Sequence, residues 1–273
     1  MPALAAIPPR LLLTGACGQL GQVLREPLRR AGQTLRLSDR KGLVGGPLQT
    51  GESFEPCELG DRAAVRHLLR GVDAVVHLGG VSVEGPFDPI LEANILGPYN
   101  LYEAARRNGV PRIVFASSNH VTGCYAQDER ISTQNRPRPD GNYGVSKLFG
   151  EGLAQLYFDR YRIETVCLRI GTATVSPPDR RGMSSWLSHR DLAQLVLCAL
   201  SAPSVGCHIV FGASANPASW WDNAEAAARI GFEPQDSAEA WRAQIDAQPL
   251  SDPASPTTRL QGGSFLGIGP FDE

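Results

Sequence analysis

The sequence has no excess of charge of either sign. Its 273 residues carry 26 Lys+Arg and 28 Asp+Glu, a formal net charge of −2. This balance gives no electrostatic argument for binding nucleic acid or an anionic membrane. No apolar run approaches the ~20 residues that span a bilayer. The first ten residues, MPALAAIPPR, lack a basic segment and contain proline, so we expect a short extension and not a signal peptide.

The chain also lacks any C-x-x-C pair, internal repeat or low-complexity linker. Its six cysteines are scattered, at positions 17, 57, 124, 167, 198 and 207. This spacing predicts neither a disulfide framework nor a zinc site, and reduced thiols favour a cytoplasmic enzyme. The histidines at 67, 77, 189 and 208 show no metal-ligand spacing, so we expect them to be structural and predict no metal.

Apolar runs alternate with helical patterns along the chain. The predicted strands are 10–16, 34–39, 73–80, 112–118, 164–171 and 207–213; the predicted helices are 18–32, 61–71, 89–109, 143–161, 189–202 and 220–232. This alternation indicates the α/β class, a doubly wound parallel sheet of the Rossmann fold. Pro27 should disturb the first helix, and Pro98 predicts a kink or break in the third. We expect residues 1–173 to form a dinucleotide-binding domain, with residues 174–273 as a small C-terminal substrate region packed on it.

A glycine loop, TGACGQLG, follows the first predicted strand and opens the first helix. Gly15, Gly18 and Gly21 would let the backbone approach a pyrophosphate, whose charge a helix N-terminus favours. The spacing is G-x-x-G-x-x-G and not G-x-G-x-x-G, and glycine also marks ordinary strand-to-helix turns. In this context we predict a dinucleotide site that includes Gln19 and Leu20.

Asp39 closes the second predicted strand. A carboxylate there can accept both ribose hydroxyls of adenosine and repels a 2′-phosphate, which favours NAD over NADP. Arg40 and Lys41 support the alternative, because they could pair with that phosphate, and Asp39 could also be a turn residue. Glu58 and Leu59 could meet the adenine edge, although ordinary loop residues would look the same.

Polar residues follow the fourth predicted strand in the segment FASSNH: Ser117, Ser118, Asn119 and His120. Packing does not need them directly after a buried strand. At the C-terminal end of a parallel strand they would point into the ligand crevice, and a simple turn is the alternative.

A tyrosine and a lysine, Tyr143 and Lys147, lie four residues apart on the next predicted helix. This spacing puts both on one face, about 5–6 Å apart at Cβ, and fits either an amphipathic helix or a tyrosine base. Asn94 is either an unfavourable helix residue or one that orients its helix and a bound water near that lysine.

The third predicted strand ends in HLGGVS. Leu78, Gly79 and Gly80 would pass close to the cofactor, with Ser82 facing the nicotinamide end. A tight turn alone would also explain the two glycines.

Together these motifs resemble the extended short-chain dehydrogenase/reductase superfamily. TGACGQLG, HLGGVSVEGPF, NLYEAARRNGVPRIVFASSNH, RPDGNYGVSKLFGE, FGASANPASWWDN and RLQGGSF are similar to the uronate dehydrogenase family, over roughly residues 10–265. The resemblance implies oxidation of a hexuronic acid, glucuronate or galacturonate, at its C1 hemiacetal to an aldarolactone. It further implies NAD as hydride acceptor and assembly into homo-oligomers.

The resemblance also implies catalytic roles. Tyr143 would take the proton of the anomeric hydroxyl, Ser118 would hydrogen-bond that oxygen, and Lys147 would bind the nicotinamide ribose. A free tyrosine has a pKa of about 10. A cation roughly 4 Å away at an effective dielectric near 20 is worth about 4 kcal/mol. We therefore expect Lys147 to lower the pKa of Tyr143 toward working pH.

The family positions that contact substrate correspond here to Ser82, Ser118, Asn119, His120, Thr172, Arg181 and Phe265. Arg181 would bind the carboxylate, and the adjacent Arg180 could substitute. Thr172 keeps a hydroxyl where serine is usual, and Ala173 replaces a frequent cysteine, so only a backbone contact carries over. Phe265 would close over the substrate, in this chain or from a neighbouring subunit. Glu58 replaces the commoner aspartate, so the resemblance gives less support to an adenine contact at this position.

Two other functions fit part of the pattern. A nucleotide-sugar epimerase or dehydratase shares the fold and the Tyr-Lys pair, but usually carries a larger C-terminal domain than the ~100 residues left here. A non-catalytic NAD-sensing protein is the second alternative, although such proteins often lose the tyrosine or the lysine.

Overall fold

The chain is built on a parallel sheet of seven strands. A computed structural model describes residues 6–32 and 34–271, so residues 1–5 of the expected N-terminal extension lie outside the described residues. The strands are β1 (Arg10–Thr14), β2 (Thr34–Ser38), β3 (Glu52–Phe54), β4 (Ala74–His77), β5 (Arg112–Ser118), β6 (Ile131–Ser132), β7 (Glu164–Ile170), β8 (Thr172–Ala173), β9 (Trp186–Leu187), β10 (Cys207–Gly212) and β11 (Trp221–Asp222). The main sheet has the order β10-β7-β5-β4-β1-β2-β3, and β6 with β11 and β8 with β9 form two-stranded pairs.

Helices cover both faces of this sheet. In the described part of the chain they are α1 (Gln19–Ala31), α2 (Arg62–Leu68), α3 (Phe87–Ile90), α4 (Gly97–Asn108), α5 (Asn142–Tyr161), α6 (Gly182–Ser185), α7 (His189–Ser201), α8 (Ala224–Ile230), α9 (Arg242–Asp246) and α10 (Pro256–Arg259). A π-helical segment, Leu91–Leu96, and three 3₁₀ segments, Asn119–Thr122, Ala238–Trp241 and Gly263–Gly267, complete the set. None of the helices described is both long and apolar enough to cross a membrane.

The core lies in two layers, one on each face of the sheet. Leu11 and Leu13 of β1 join the cluster on one face, and Leu12 joins the other. All three are at most 1% exposed, as expected for a strand buried on both faces. The predicted doubly wound α/β fold is therefore confirmed.

Several elements differ from their predicted form. Helix α1 continues through Pro27, because the buried Leu24 and Leu28 hold its two halves on the sheet. Near Pro98 the helix changes type without a break: a π-helical segment ends at Leu96, α4 begins at Gly97, and Pro98 lies in the first turn of α4. The prediction of one helix over 220–232 is wrong at its start, since β11 pairs there with β6.

Candidate active site

The carboxyl ends of the central strands form one crevice. From β1 the chain proceeds to β2 and β3 on one side, whereas β4, β5 and β7 lie on the other. The order therefore reverses between β1 and β4, the position at which open α/β sheets bind ligands.

The glycine loop passes directly against the end of β4. Gly15 has φ +70°, and a Cβ on it would lie 2.7 Å from the carbonyl carbon of Leu78. A Cβ on Gly21 would overlap the Gly15 carbonyl oxygen. Gly18 precedes α1 without any side-chain cap, which leaves the helix N-terminus suited to an anion. Gln19 and Leu20 are the first two residues of α1.

Asp39 is fixed beside this loop. Its Oδ2 accepts a hydrogen bond from the Cys17 N–H at 3.0 Å, and its Oδ1 accepts one from the Lys41 N–H at 3.2 Å. Leu59 faces the same crevice wall, because a Cβ at Gly79 would lie 2.9 Å from Leu59 Cδ1. Arg40, Lys41 and Glu58 are exposed.

Tyr143 and Lys147 lie on the first turns of α5, and each is at most 7% exposed. Lys147 Nζ donates to the Ala116 carbonyl oxygen at 2.9 Å and lies 5.4 Å from the centroid of the Tyr143 ring. Burial raises the pKa of Tyr143 to about 12, against a hydrogen bond with Ser118 that lowers it. Burial also lowers the pKa of Lys147 to about 8.

The expected lowering of the Tyr143 pKa by Lys147 is thus not produced by the protein's own groups. Desolvation is the largest influence on the phenol, and the negative charge of Asp140 adds to it. Ionisation of Tyr143 near neutral pH therefore requires further positive charge in the crevice.

The polar residues at the end of β5 and directly after it do not all face the crevice. Ser117 Oγ donates to Glu151 Oε1 at 2.6 Å, and Glu151 forms two 2.9 Å hydrogen bonds with Arg169. Ser117 therefore belongs to a buried ion-pair network, and its expected place in the crevice is wrong. Ser118 instead accepts the His120 N–H at 3.2 Å and begins the 3₁₀ turn that carries Asn119 and His120.

Arg181 is held by neutral acceptors. Its Nε donates to the Gln261 carbonyl oxygen at 2.6 Å, and one Nη donates to Thr172 Oγ1 at 3.1 Å. With its amide oriented to suit its partners, Asn119 donates to the Ile170 carbonyl oxygen and accepts from the other Nη of Arg181 at 2.6 Å. Burial lowers the pKa of this guanidinium.

No carboxylate lies within ion-pair distance of Arg181 among residues 6–32 and 34–271. Arg180, by contrast, pairs with Asp246 at 3.1 Å and donates to the Gln248 carbonyl oxygen at 2.9 Å. Asp179 and Asp140 act on the charge of Arg181 from beyond ion-pair distance. A desolvated cation without a directly paired carboxylate favours an anionic ligand. Of the two arginines, Arg181 is therefore the one whose positive charge is available to bind a substrate carboxylate.

His120 is enclosed by Asp140, Phe265 and Tyr143. Its Nδ1 donates to Asp140 Oδ2 at 2.6 Å, and its ring stacks on Phe265 with centroids 3.8 Å apart. Both rings meet Tyr143 edge-on, at 5.8 and 5.9 Å. Phe265 reaches this position from the same chain, because the Gly262 N–H bonds the Gly123 carbonyl oxygen at 2.8 Å.

The loop after β4 is fastened to α5 through Asn94. Its Oδ1 accepts the Val81 N–H at 2.8 Å, and its Nδ2 donates to the Val81 carbonyl oxygen at 2.9 Å and to Ser146 Oγ at 3.0 Å. A Cβ on Gly80 would lie 2.5 Å from Asn94 Oδ1. Ser82 follows on this loop and is exposed, whereas Ala173 of β8 is partly buried beside Leu187 of β9.

Sequence reasoning missed two acids. Asp140 lies just before α5 in a segment whose sequence is typical of a turn. Only the folded structure places its carboxylate against His120. Glu84 accepts the N–H groups of Asn142 at 3.0 Å and Tyr143 at 2.9 Å. One local signal pointed to such an acceptor: the residue that precedes α5 is glycine, which has no side chain to cap a helix.

Comparison with known proteins assigns the family. The sequence pattern of the NAD dependent epimerase/dehydratase family matches residues 11–189. A uronate dehydrogenase of Pseudomonas syringae pv. tomato is 50% identical over 264 residues, 97% of this chain and 95% of the relative. The chain belongs to the uronate dehydrogenase family. The resemblance inferred from its motifs is thus confirmed.

Two solved structures of this family share the fold. The glucuronic acid dehydrogenase of Chromohalobacter salexigens has a TM-score of 0.92 and 47% identity, covering 96% of this chain and 98% of its own. A mutant uronate dehydrogenase of Agrobacterium tumefaciens, complexed with NAD, has a TM-score of 0.92 and 48% identity, covering 97% and 99%.

The residues described here hold no cluster of three or more His, Cys, Asp or Glu side chains suited to a metal ion.

Proposed function

We propose that the chain oxidises the C1 hemiacetal of a hexuronic acid, glucuronate or galacturonate, to the aldarolactone with NAD as oxidant. The observation that carries this proposal is Arg181, a desolvated cation bound only to neutral acceptors. Its partner Asn119 follows Ser118 directly, and Ser118 lies close enough to Tyr143 to lower the pKa of the phenol. A cation for a carboxylate and a base for a hydroxyl are therefore close together, as a uronic acid requires.

The crevice residues fit NAD. The loop of Gly15, Gly18 and Gly21 leaves room where Cβ atoms would intrude, and the start of α1 would hold the pyrophosphate. Asp39 would take the adenosine ribose. The set that would line the rest of the cofactor is Gln19, Leu20, Glu58, Leu59, Leu78, Gly79, Gly80, Asn94, Tyr143, Lys147 and Ala173. When bound, NAD accepts the hydride from C1 of the sugar.

Tyr143 would act as the base that removes the anomeric proton. With a pKa of about 12 in the protein alone, the phenol keeps its proton at neutral pH. Below its own pKa of about 8, Lys147 is mainly protonated and lies within 5.4 Å of the ring centroid. This charge, together with the oxidised nicotinamide, would favour the phenolate that removes the anomeric proton. Ser118 would hold the anomeric oxygen during the transfer.

The sugar would be oriented by side chains that surround Arg181 and Tyr143. Arg181 would bind the carboxylate, and the hydroxyl-binding set would be Ser82, Asn119, His120 and Thr172. Phe265 stacks on His120 and would cover the sugar from this chain's own tail.

The direct test is reduced-cofactor formation with free glucuronate, galacturonate and a UDP-sugar, each with NAD or NADP. We expect turnover with the free uronates and NAD. Turnover of the UDP-sugar alone would replace this function with that of a nucleotide-sugar enzyme.

We also propose a homo-oligomer in the cytoplasm. Exposed apolar side chains on the neighbouring helices α4 and α5, Tyr99, Val145, Phe149 and Leu156, support self-association, and the six free cysteines support a reducing compartment. Light scattering and cell fractionation would test these two points.

The division into residues 1–173 for the cofactor and 174–273 for the substrate also stays a proposal. Limited proteolysis near residue 173 would test it.

A further inference from the structure

Glu84 caps the helix that carries Tyr143 and Lys147. Its Oε1 accepts the N–H of Asn142 at 3.0 Å, and its Oε2 accepts the N–H of Tyr143 at 2.9 Å. The first N–H groups of a helix have no partner within the helix, and a carboxylate is the acceptor that the helix N-terminus favours. Glu84 lies 58 residues before Asn142 in the chain and reaches the helix from the loop after β4.

The surroundings of Glu84 are shaped to its carboxylate. Glu84 is 7% exposed, and a Cβ on Gly141 would overlap its Oε2. Gly141, the residue before α5, offers no side-chain cap of its own. The Asn142 side chain adds a third bond between the helix and the loop, to the Gly85 carbonyl oxygen at 3.1 Å. The carboxylate is therefore enclosed at one fixed place on the first turn of α5.

A second attachment lies three residues earlier in the same loop. Asn94 binds both backbone groups of Val81 and donates to Ser146 Oγ on α5. The segment between the two attachments contains Ser82 and Val83, both exposed, and Val83 is 56% exposed. These two residues are thus presented on a short span that is fastened to α5 at both ends.

We infer that Glu84 is a positioning residue, which sets the distance between Ser82 and the Tyr143 hydroxyl for the reaction. This inference rests on the proposed function. Glu84 does not touch the reacting atoms; it acts through the Tyr143 backbone and the loop that carries Ser82. A displacement of 1 Å in such an arrangement costs roughly 100-fold in rate.

Two variants separate positioning from simple helix capping. Glu84→Asp keeps the charge at the helix terminus, but its shorter side chain keeps both hydrogen bonds only if the loop moves toward α5. We expect kcat on glucuronate to fall roughly 10- to 100-fold, KM to rise, and the Kd of NAD to stay within about twofold. Glu84→Gln retains the length but only one acceptor, because its NH2 group cannot accept the second N–H; we therefore expect it to recover part of the lost kcat.

Glu92→Gln is the matched control, because Glu92 is exposed on the following π-helical segment. It should leave kcat, KM and thermal midpoint unchanged. If Glu84→Asp keeps wild-type kcat and KM, Glu84 only caps the helix and the inference is overturned.

Amide hydrogen exchange separates this inference from the proposed function. We expect slow exchange at Asn142 and Tyr143 in the wild type and faster exchange in Glu84→Ala, whatever the substrate is. Fast exchange at these two residues in the wild type would show that Glu84 does not hold the first turn of α5. That result would overturn this inference and leave the proposed function untouched. Slow exchange in a wild type that oxidises neither uronate would overturn the proposed function, and with it the role in that reaction.

Discussion

Replacing Arg181 with glutamine tests the assignment of the substrate carboxylate. The variant removes the positive charge but leaves an amide that can still bond the Gln261 carbonyl oxygen or Thr172 Oγ1, the present partners of the guanidinium. We expect a large loss of kcat/KM with glucuronate and galacturonate. The physical reason is the loss of a charge-assisted hydrogen bond to the carboxylate.

The magnitude follows from the bonds that Arg181 already makes. A guanidinium has five N–H donors. Gln261, Thr172, Ser185 and Asn119 engage four of these, so one is left for a ligand. One hydrogen bond to a charged group contributes about 1.5–3 kcal/mol, and the attraction between charges raises the upper limit to about 4 kcal/mol. Since 1.4 kcal/mol is a factor of ten, kcat/KM should fall roughly 10- to 1,000-fold.

The assay compares each uronate with its neutral hexose, glucose or galactose. Loss of the carboxylate contact lowers kcat/KM for the uronate and leaves the weak rate with the hexose nearly unchanged. If the variant instead displaced the C-terminal segment by losing the bond to the Gln261 carbonyl oxygen, both rates would fall equally. Equal losses on the two substrates would therefore refute the assignment.

Arg180→Gln is the matched control. It removes a half-exposed ion pair with Asp246, which contributes at most about 1 kcal/mol to stability. Its kcat/KM on uronates should stay at the wild-type value. If Arg180→Gln instead causes the uronate-specific loss, the carboxylate binds Arg180.

Four further predictions concern single residues. Tyr143→Phe should lower kcat roughly 10²- to 10⁴-fold while the Kd of NAD, measured by titration, stays nearly unchanged; an active variant would place the base elsewhere. Asp140 raises the pKa of Tyr143, so Asp140→Asn should move the pH profile of kcat to lower pH, and an unmoved profile would contradict this coupling. Burial lowers the pKa of His77 from 6.5 to about 3, so between these values the unfolded chain binds the extra proton. The contribution of His77 to the free energy of unfolding should then fall by about 2 kcal/mol from pH 7 to pH 5, and urea titrations of His77→Asn should show a pH dependence smaller by that amount. Asp39→Ala should lower kcat/KM for NAD roughly 10- to 100-fold and narrow the preference over NADP; an unchanged ratio would show that Asp39 does not select the cofactor.

The strands that lie inside the sheet could be predicted from their own residues. The predicted strand 112–118 matches β5, because all seven residues are buried and polar groups follow directly. The edge strand β3 could not be predicted, since Glu52–Phe54 has no apolar run. It forms because the free edge of β2 offers backbone partners, and no local pattern encodes that edge. Trp221 likewise joins a strand only because β6 lies beside it.

The candidate site divides in the same way. Gly15 and Tyr143 could be selected from spacing, because turn geometry and helical periodicity are local. Glu84 and Asp140 could not be selected, since each acts on groups that only the folded chain brings to it. The pKa of Tyr143 was predicted to fall and instead rises, because burial depends on the whole packing around the ring.

The fate of the hydrogen at C1 tests the central claim most directly. Glucuronate carrying deuterium at C1 is incubated with the enzyme and NAD, and the sugar product and the reduced cofactor are analysed by mass spectrometry. Oxidation of the hemiacetal predicts one deuterium in the reduced cofactor and none at C1 of an aldarolactone. Deuterium that stays on the sugar, with unlabelled reduced cofactor, would show that the hydride leaves another carbon and would contradict the account.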